Sequence, residues 1–200
     1  MICLLFVGDG ERDAATNPHL VERLVSSPIE PRAIPWPRLN QAGRGYDRKL
    51  LFALRRAREE GLDGVVATID QDKSSGRDRL RSMEAARAKD RARAAPLPTA
   101  LGCADPHAEA WLLDDPVAVR MVLGLDKDAP IQTVRRSKNP KGEIDALHAV
   151  SARSGEPIRT ILVDIARNLD PKRCQHAHET GFEHFAKDVK DEIGPLVRAS

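Results

Sequence analysis

Ile2-Cys3-Leu4-Leu5-Phe6-Val7-Gly8-Asp9-Gly10-Glu11-Arg12-Asp13 is the stretch whose reading decides the fold. It opens with an unbroken apolar run, the pattern of a strand covered on both faces. Gly8-Asp9-Gly10 ends the run in a tight turn and delivers a carboxylate at the strand end. Gly64-Val65-Val66-Ala67-Thr68-Ile69 repeats the pattern with β-branched residues, and Asp70-Gln71-Asp72 follows at once. If the two strands are parallel and share a sheet, their acids meet at one edge. Carboxylates gathered in that way repel one another unless a cation, usually Mg²⁺, lies among them.

The segments around these strands read as helices. Leu20, Val21, Leu24 and Val25 recur at helical spacing and predict a helix over 14–25. Leu50, Leu51, Leu54 and Ala57 line one face of a predicted helix from Tyr46 to Glu60, stopped by Gly61. Between them, Pro28, Pro31, Pro35 and Pro37 predict extended or looped chain with a short strand at 33–36. A helix is expected over 77–94 and a strand over 97–104, despite Pro98. The alternation implies an α/β fold, a parallel sheet flanked by helices, with ligands beyond the carboxyl ends of its strands. From Pro106 the pattern turns helical. Helices are expected at 107–113, 116–123, 142–152, 158–168 and 181–192, with a polar loop over 127–142. The organisation expected is an α/β core over 1–115 and a helical C-terminal extension over 116–200, packed on that core.

Composition narrows the class. Two hundred residues suit one domain, and 41% hydrophobic with 31% charged residues is ordinary for a globular chain. Aromatics make up only 4%, so aliphatic and alanine packing must dominate. No apolar run nears the roughly 20 residues that span a bilayer, so no membrane partner is expected. The first residues lack a basic flank and read as strand rather than signal peptide. Cys3, Cys103 and Cys174 are too few and too scattered for a disulfide framework, which points to a reducing cytoplasm. Cys3 and Cys103 are expected as buried strand residues. Cys174, His176, His178 and His184 do not follow a zinc-finger spacing.

The net charge of +2 conceals basic stretches. Arg77 to Arg93 holds seven Arg or Lys against three acids, and Arg44, Arg48, Lys49, Arg55, Arg56 and Arg58 form a second set. Such stretches bind phosphate backbones or form solvated helix faces. Candidate nucleic-acid contacts are Arg44, Arg48, Lys73, Arg77 and Lys141. Arg135 and Arg136 share the loop with Lys141.

The acids are the chemistry-bearing residues. Asp9 stands at a strand end, and Asp13 stands at the start of the helix; each can bind metal or cap that helix. Asp70 and Asp72, two apart in extended chain, project to one side, a spacing that suits a metal or a polar turn. Glu109 is a further metal ligand or a helix-surface acid. His107 is a base, a phosphate ligand or a plain surface histidine.

Asp9-Gly10-x-x-Asp13 after one strand and Asp70-x-Asp72 after another resemble the motifs of the TOPRIM domain, shared by topoisomerases, bacterial primases and OLD-type nucleases. Glu109-Ala110-Trp111-Leu112-Leu113-Asp114-Asp115, Pro140-Lys141 and Phe182-Glu183-His184-Phe185 are similar to segments of small bacterial TOPRIM-like proteins. The resemblance implies a Mg²⁺- or Mn²⁺-dependent nuclease. Its catalytic residues would be Asp9, Asp70, Asp72 and Glu109, its metal ligands Asp9, Asp13, Asp70 and Asp72, and its substrate DNA or RNA. It also implies a role in anti-phage or mobile-element defence, with a protein partner such as a defence-system ATPase. Asp9 departs from the family's usual Glu and is one methylene shorter. A non-catalytic regulatory or scaffolding subunit, and a phosphotransferase or phosphatase using Asp70 or Asp72 as nucleophile, are the alternatives.

Overall fold

The computed structural model of the chain describes residues 1–71, 76–132 and 139–199. The first half alternates strand and helix: β1 (Ile2–Gly8), α1 (Glu11–Val25), β2 (Ile29–Pro35), a 3₁₀ segment (Trp36–Ala42), α2 (Tyr46–Glu59), β3 (Gly64–Asp70), α3 (Gly76–Arg91) and β4 (Thr99–Ala104). The four strands form one parallel sheet in the order β2-β1-β3-β4. Phe6 pairs with Ala33 on one side and Val66 on the other, and Val66 pairs with Ala100. From β1 the chain steps outward to β2. It then returns past β1 to β3, so the winding reverses between β1 and β3. That reversal opens a crevice at the carboxyl ends of the two strands, where parallel sheets hold ligands.

Strand alternation divides the core in two. Ile2, Leu4, Phe6, Val66 and Ala100 pack with α1 and the helices after β4. Leu5, Val7, Val65, Ala67, Ile69 and Leu101 pack with α2 and α3. Both faces are covered, which explains why β1 and β3 are apolar throughout.

The chain continues as α4 (Glu109–Leu113), α5 (Pro116–Leu123), α6 (Pro140–Ala149), α7 (Ile158–Asn168), α8 (Phe182–Glu192) and α9 (Gly194–Ala199). α7 packs beside α1, and α8 lies on β4. Residues beyond 115 thus complete one face of the sheet, and Ile165 and Val189 share a core with Leu4 and Phe6. β4 turns the small side chains of Ala100, Gly102 and Ala104 to that face. A Cβ at Gly102 would lie 2.7 Å from the Phe185 ring and 3.2 Å from Trp111. The scarce aromatics are concentrated there: Trp111 stacks on Phe185 at 4.8 Å, and its Nε1–H donates to the Thr180 carbonyl at 2.7 Å.

Several expectations are corrected. The proline-rich segment forms a full strand, β2, rather than a short one at 33–36. Edge position makes this possible, because an unpaired side needs no N–H from proline. α1 starts at Glu11, ahead of 14, and β4 starts at Thr99, just past Pro98. α6 starts at Pro140 because Asn139 caps it, its Oδ1 accepting from Gly142 N–H at 3.0 Å. Cys3 and Cys103 are half-buried rather than fully buried. Two of the seven basic residues over 77–93 are tied to α8, Arg87 through Asp188 and Arg91 through Glu192, while Arg77, Arg81, Lys89, Arg91 and Arg93 are exposed. Buried Asp90 pairs with Arg58 of α2. Among the described residues, no helix is long and apolar enough to cross a membrane.

Candidate active site

The crevice at the ends of β1 and β3 is an open cleft of about 360 Å³, lined by Asp9, Arg12, Asp13, Asp70, His107, Glu109 and Lys141 together with Gly10 and Glu11. Its construction begins at Gly8, where a Cβ would come within 2.7 Å of the Cβ of Asp13. With no side chain there, the first turn of α1 closes onto the end of β1. Asp13 Oδ2 accepts from the N–H of Asp9 at 2.8 Å and of Gly10 at 3.2 Å. Asp13 is therefore a helix cap that fixes the turn, and it is buried.

Asp9 reaches across the crevice. Its Oδ2 accepts from the N–H of Asp70 at 2.7 Å and so ties β1 to the end of β3. Asp70 in turn is held from the segment after β4: its Oδ1 accepts from Ala108 N–H at 3.2 Å, and its Oδ2 lies 3.1 Å from His107 Nδ1. Glu109 is also buried, and Arg12 Nη1 donates to its Oε1 at 3.1 Å. Arg12 Nη2 donates to Asp145 of α6 at 2.8 and 3.1 Å. Lys141, in the first turn of α6, is exposed and has no ion-pair partner among the described residues.

Crowded acids under partial burial resist ionisation. Burial pushes the Asp13 carboxyl from 3.8 up to about 7, and the charge of Asp70 adds to this while the Asp9 N–H opposes it. Burial likewise raises Asp70 to about 6, against the downward pull of its His107 hydrogen bond and with the Asp9 charge pushing upward. Each carboxylate in the cleft makes the next harder to charge, and a bound cation would relieve both.

Among the described residues, no three carboxylate, histidine or cysteine groups are placed to enclose a metal ion by themselves. Asp72 and Lys73 lie outside the described residues. The donors present still fit Mg²⁺ or Mn²⁺ chemically. Asp9 and Asp70 offer hard oxygens at one edge, and Mg²⁺ is commonly held by one or two carboxylates while keeping several waters. Asp13 and Glu109 fit less well than expected, since Asp13 closes the turn and Glu109 is paired with Arg12.

The expected nucleic-acid contacts are dispersed. Lys141 lines the acidic cleft. Arg77 lines a second cleft of about 210 Å³ between α3 and α8, with Gln71, Cys103 and His184. Arg44 and Arg48 are exposed around the start of α2 and are not among the described residues that line either cleft. Arg12 and Asp145 carry no signal in the sequence, because the partners of Arg12 lie 97 and 133 residues away. His107 was legible only as one histidine beside Glu109.

Fold and cleft together define the class: an α/β protein whose parallel sheet presents an acidic cleft at its switch point. No family model, curated protein or solved structure matches the chain.

Proposed function

We propose that this protein is a Mg²⁺- or Mn²⁺-dependent TOPRIM-like nuclease that hydrolyses phosphodiester bonds of DNA or RNA. The observation that carries this reading is the shared cleft: acids from the ends of β1 and β3 and from the segment after β4 meet there with Lys141, which has no ion-pair partner among the described residues. Asp9 and Asp70 are the residues to hold the ion, with Asp72 two positions beyond Asp70 in the sequence. The ion supplies Lewis-acid stabilisation of charge on the phosphate and favours an ionised attacking water. The protein's own residues do the positioning. Asp9 is fixed by the Asp70 N–H, and Asp70 is oriented by His107 and the Ala108 N–H. Lys141 offers a cation to the substrate backbone, and Arg77 extends the basic surface toward the second cleft. A defence role with an ATPase partner rests on the resemblance of the motifs.

The test is cleavage of single- and double-stranded DNA and RNA with Mg²⁺, with Mn²⁺ and with chelator, for the wild type, Asp9→Asn and Asp70→Asn. Metal-dependent cleavage reduced by at least about 100-fold in both variants is expected; equal activity in all three proteins removes the assignment. One observation favours a non-catalytic subunit: Arg12 already neutralises Glu109 from within. Calorimetry that detects no Mg²⁺ or Mn²⁺ binding at millimolar concentration selects that reading.

A further inference from the structure

We infer that Arg12 is a phosphate ligand of the cleft, and that the carboxylate of Asp145 holds the place the phosphate takes. The guanidinium is gripped from two sides of unequal strength. On the inner side, Nη1 bonds Glu109, whose side chain is only 8% exposed. Breaking that pair would strand a buried charge, which is strongly unfavourable. On the outer side, Nη2 bonds both oxygens of Asp145, whose side chain is 45% exposed. Exposed pairs of this kind contribute little and exchange readily. The inner bond therefore keeps the guanidinium in place while its outer edge is free to change partners. Nη2 donates to both carboxylate oxygens of Asp145, and it can donate to two phosphate oxygens in the same way.

Lys141 completes the seat. It lies one helical turn before Asp145 on α6, on the same face, yet the two do not pair: Asp145 is engaged by Arg12, and Lys141 lines the cleft with no anionic partner among the described residues. Arg12 and Lys141 thus line the same cleft, and Arg12 is engaged there by the carboxylate of Asp145, one helical turn from Lys141. An incoming phosphate replaces Asp145 on Arg12 and gains Lys141 as a second cation. This deepens the nuclease reading and rests on it only for the phosphate belonging to a polynucleotide.

The experiment measures binding of inorganic phosphate by calorimetry in the presence of chelator, so it requires neither metal nor turnover. Asp145→Asn removes the internal competitor and should bind phosphate about fivefold more tightly than wild type. Arg12→Lys keeps the charge against Glu109 but loses the second nitrogen that faces Asp145, and should weaken binding about tenfold. Lys141→Gln should weaken it about fivefold. Asp126→Asn makes the same charge change on an exposed loop residue and should stay within about twofold of wild type. Unchanged or weaker binding by Asp145→Asn overturns the inference, as does unchanged binding by Lys141→Gln. If Arg12→Lys fails to fold, these two variants still decide. This phosphate pattern without nucleic-acid cleavage would sink the nuclease reading and leave the inference standing. Cleavage without tightening by Asp145→Asn would do the reverse.

Discussion

Replacing Asp13 by Asn should stabilise the protein at alkaline pH, against the usual expectation for a buried helix cap. In the fold, burial and the charge of Asp70 raise the Asp13 carboxyl from 3.8 to about 7. At about 1.4 kcal/mol per tenfold change in proton affinity, ionising it costs about 4 kcal/mol more in the folded than in the unfolded chain. The sign follows from which state binds the proton. Below the unfolded value both states are protonated. Between that value and about 7 only the folded state keeps the proton, so folding takes up a proton and stability falls by about 1.4 kcal/mol per pH unit until the loss is complete above the folded value. Asn retains a carbonyl oxygen to accept from the N–H groups of Asp9 and Gly10 and has nothing to ionise. Between pH 5 and pH 8.5, the stability difference should move in favour of Asp13→Asn by about 3 kcal/mol. Urea unfolding of both proteins at the two pH values, without divalent metal, measures it. A difference that does not change with pH would refute the reasoning, since Asp13 would then be ionised throughout, its backbone hydrogen bonds outweighing its burial.

Three further outcomes follow from the same structure. Mg²⁺ should raise the melting temperature at pH 8.5 and have little effect at pH 5, because Asp13 and Asp70 keep their protons at the lower pH; a shift of equal size at both pH values, or one that survives in Asp70→Asn, would contradict this in thermal scanning. Gly102→Ala should destabilise by about 1–3 kcal/mol in urea unfolding, since the new methyl would meet the Phe185 ring at 2.7 Å; no loss would mean that α8 moves outward at little cost. Arg173→Ala should cost about 2–3 kcal/mol at pH 7, less than for a wholly buried pair because Arg173 is 38% exposed and Asp115 keeps the N–H groups of Asp170 and Ala118. Although burial alone would raise the Asp115 carboxyl, the Arg173 bonds hold it below its ordinary value. The Arg173→Ala penalty should therefore shrink as pH falls below the carboxylate range, and a penalty independent of pH would count against the pairing.

The sheet was legible in the sequence because β1 and β3 are buried on both faces, and such strands must be apolar at every position. The turn after each strand was legible for a related reason, as Gly8-Asp9-Gly10 and Asp70 stand where an apolar run stops. β2 was only partly legible. Its prolines argue against a strand in general, and only its place at the sheet edge makes them acceptable. The basic stretch on α3 showed its charge but not its partners, because Asp188 and Glu192 reach Arg87 and Arg91 only after α8 has folded onto β4.

The cleft divides along the same line. The sequence by itself determined that acids would collect at the ends of parallel strands, since strands joined by helical crossovers run in one direction and so end on one edge. It could not apportion their work, because hydrogen-bond partners are set by distance in space. Tertiary structure alone decided that Asp13 closes a turn, that Asp9 bridges to Asp70, and that Glu109 holds Arg12. It also decided that Asp145 and Lys141 arrive together on α6, at a cleft built from residues far from them in the chain.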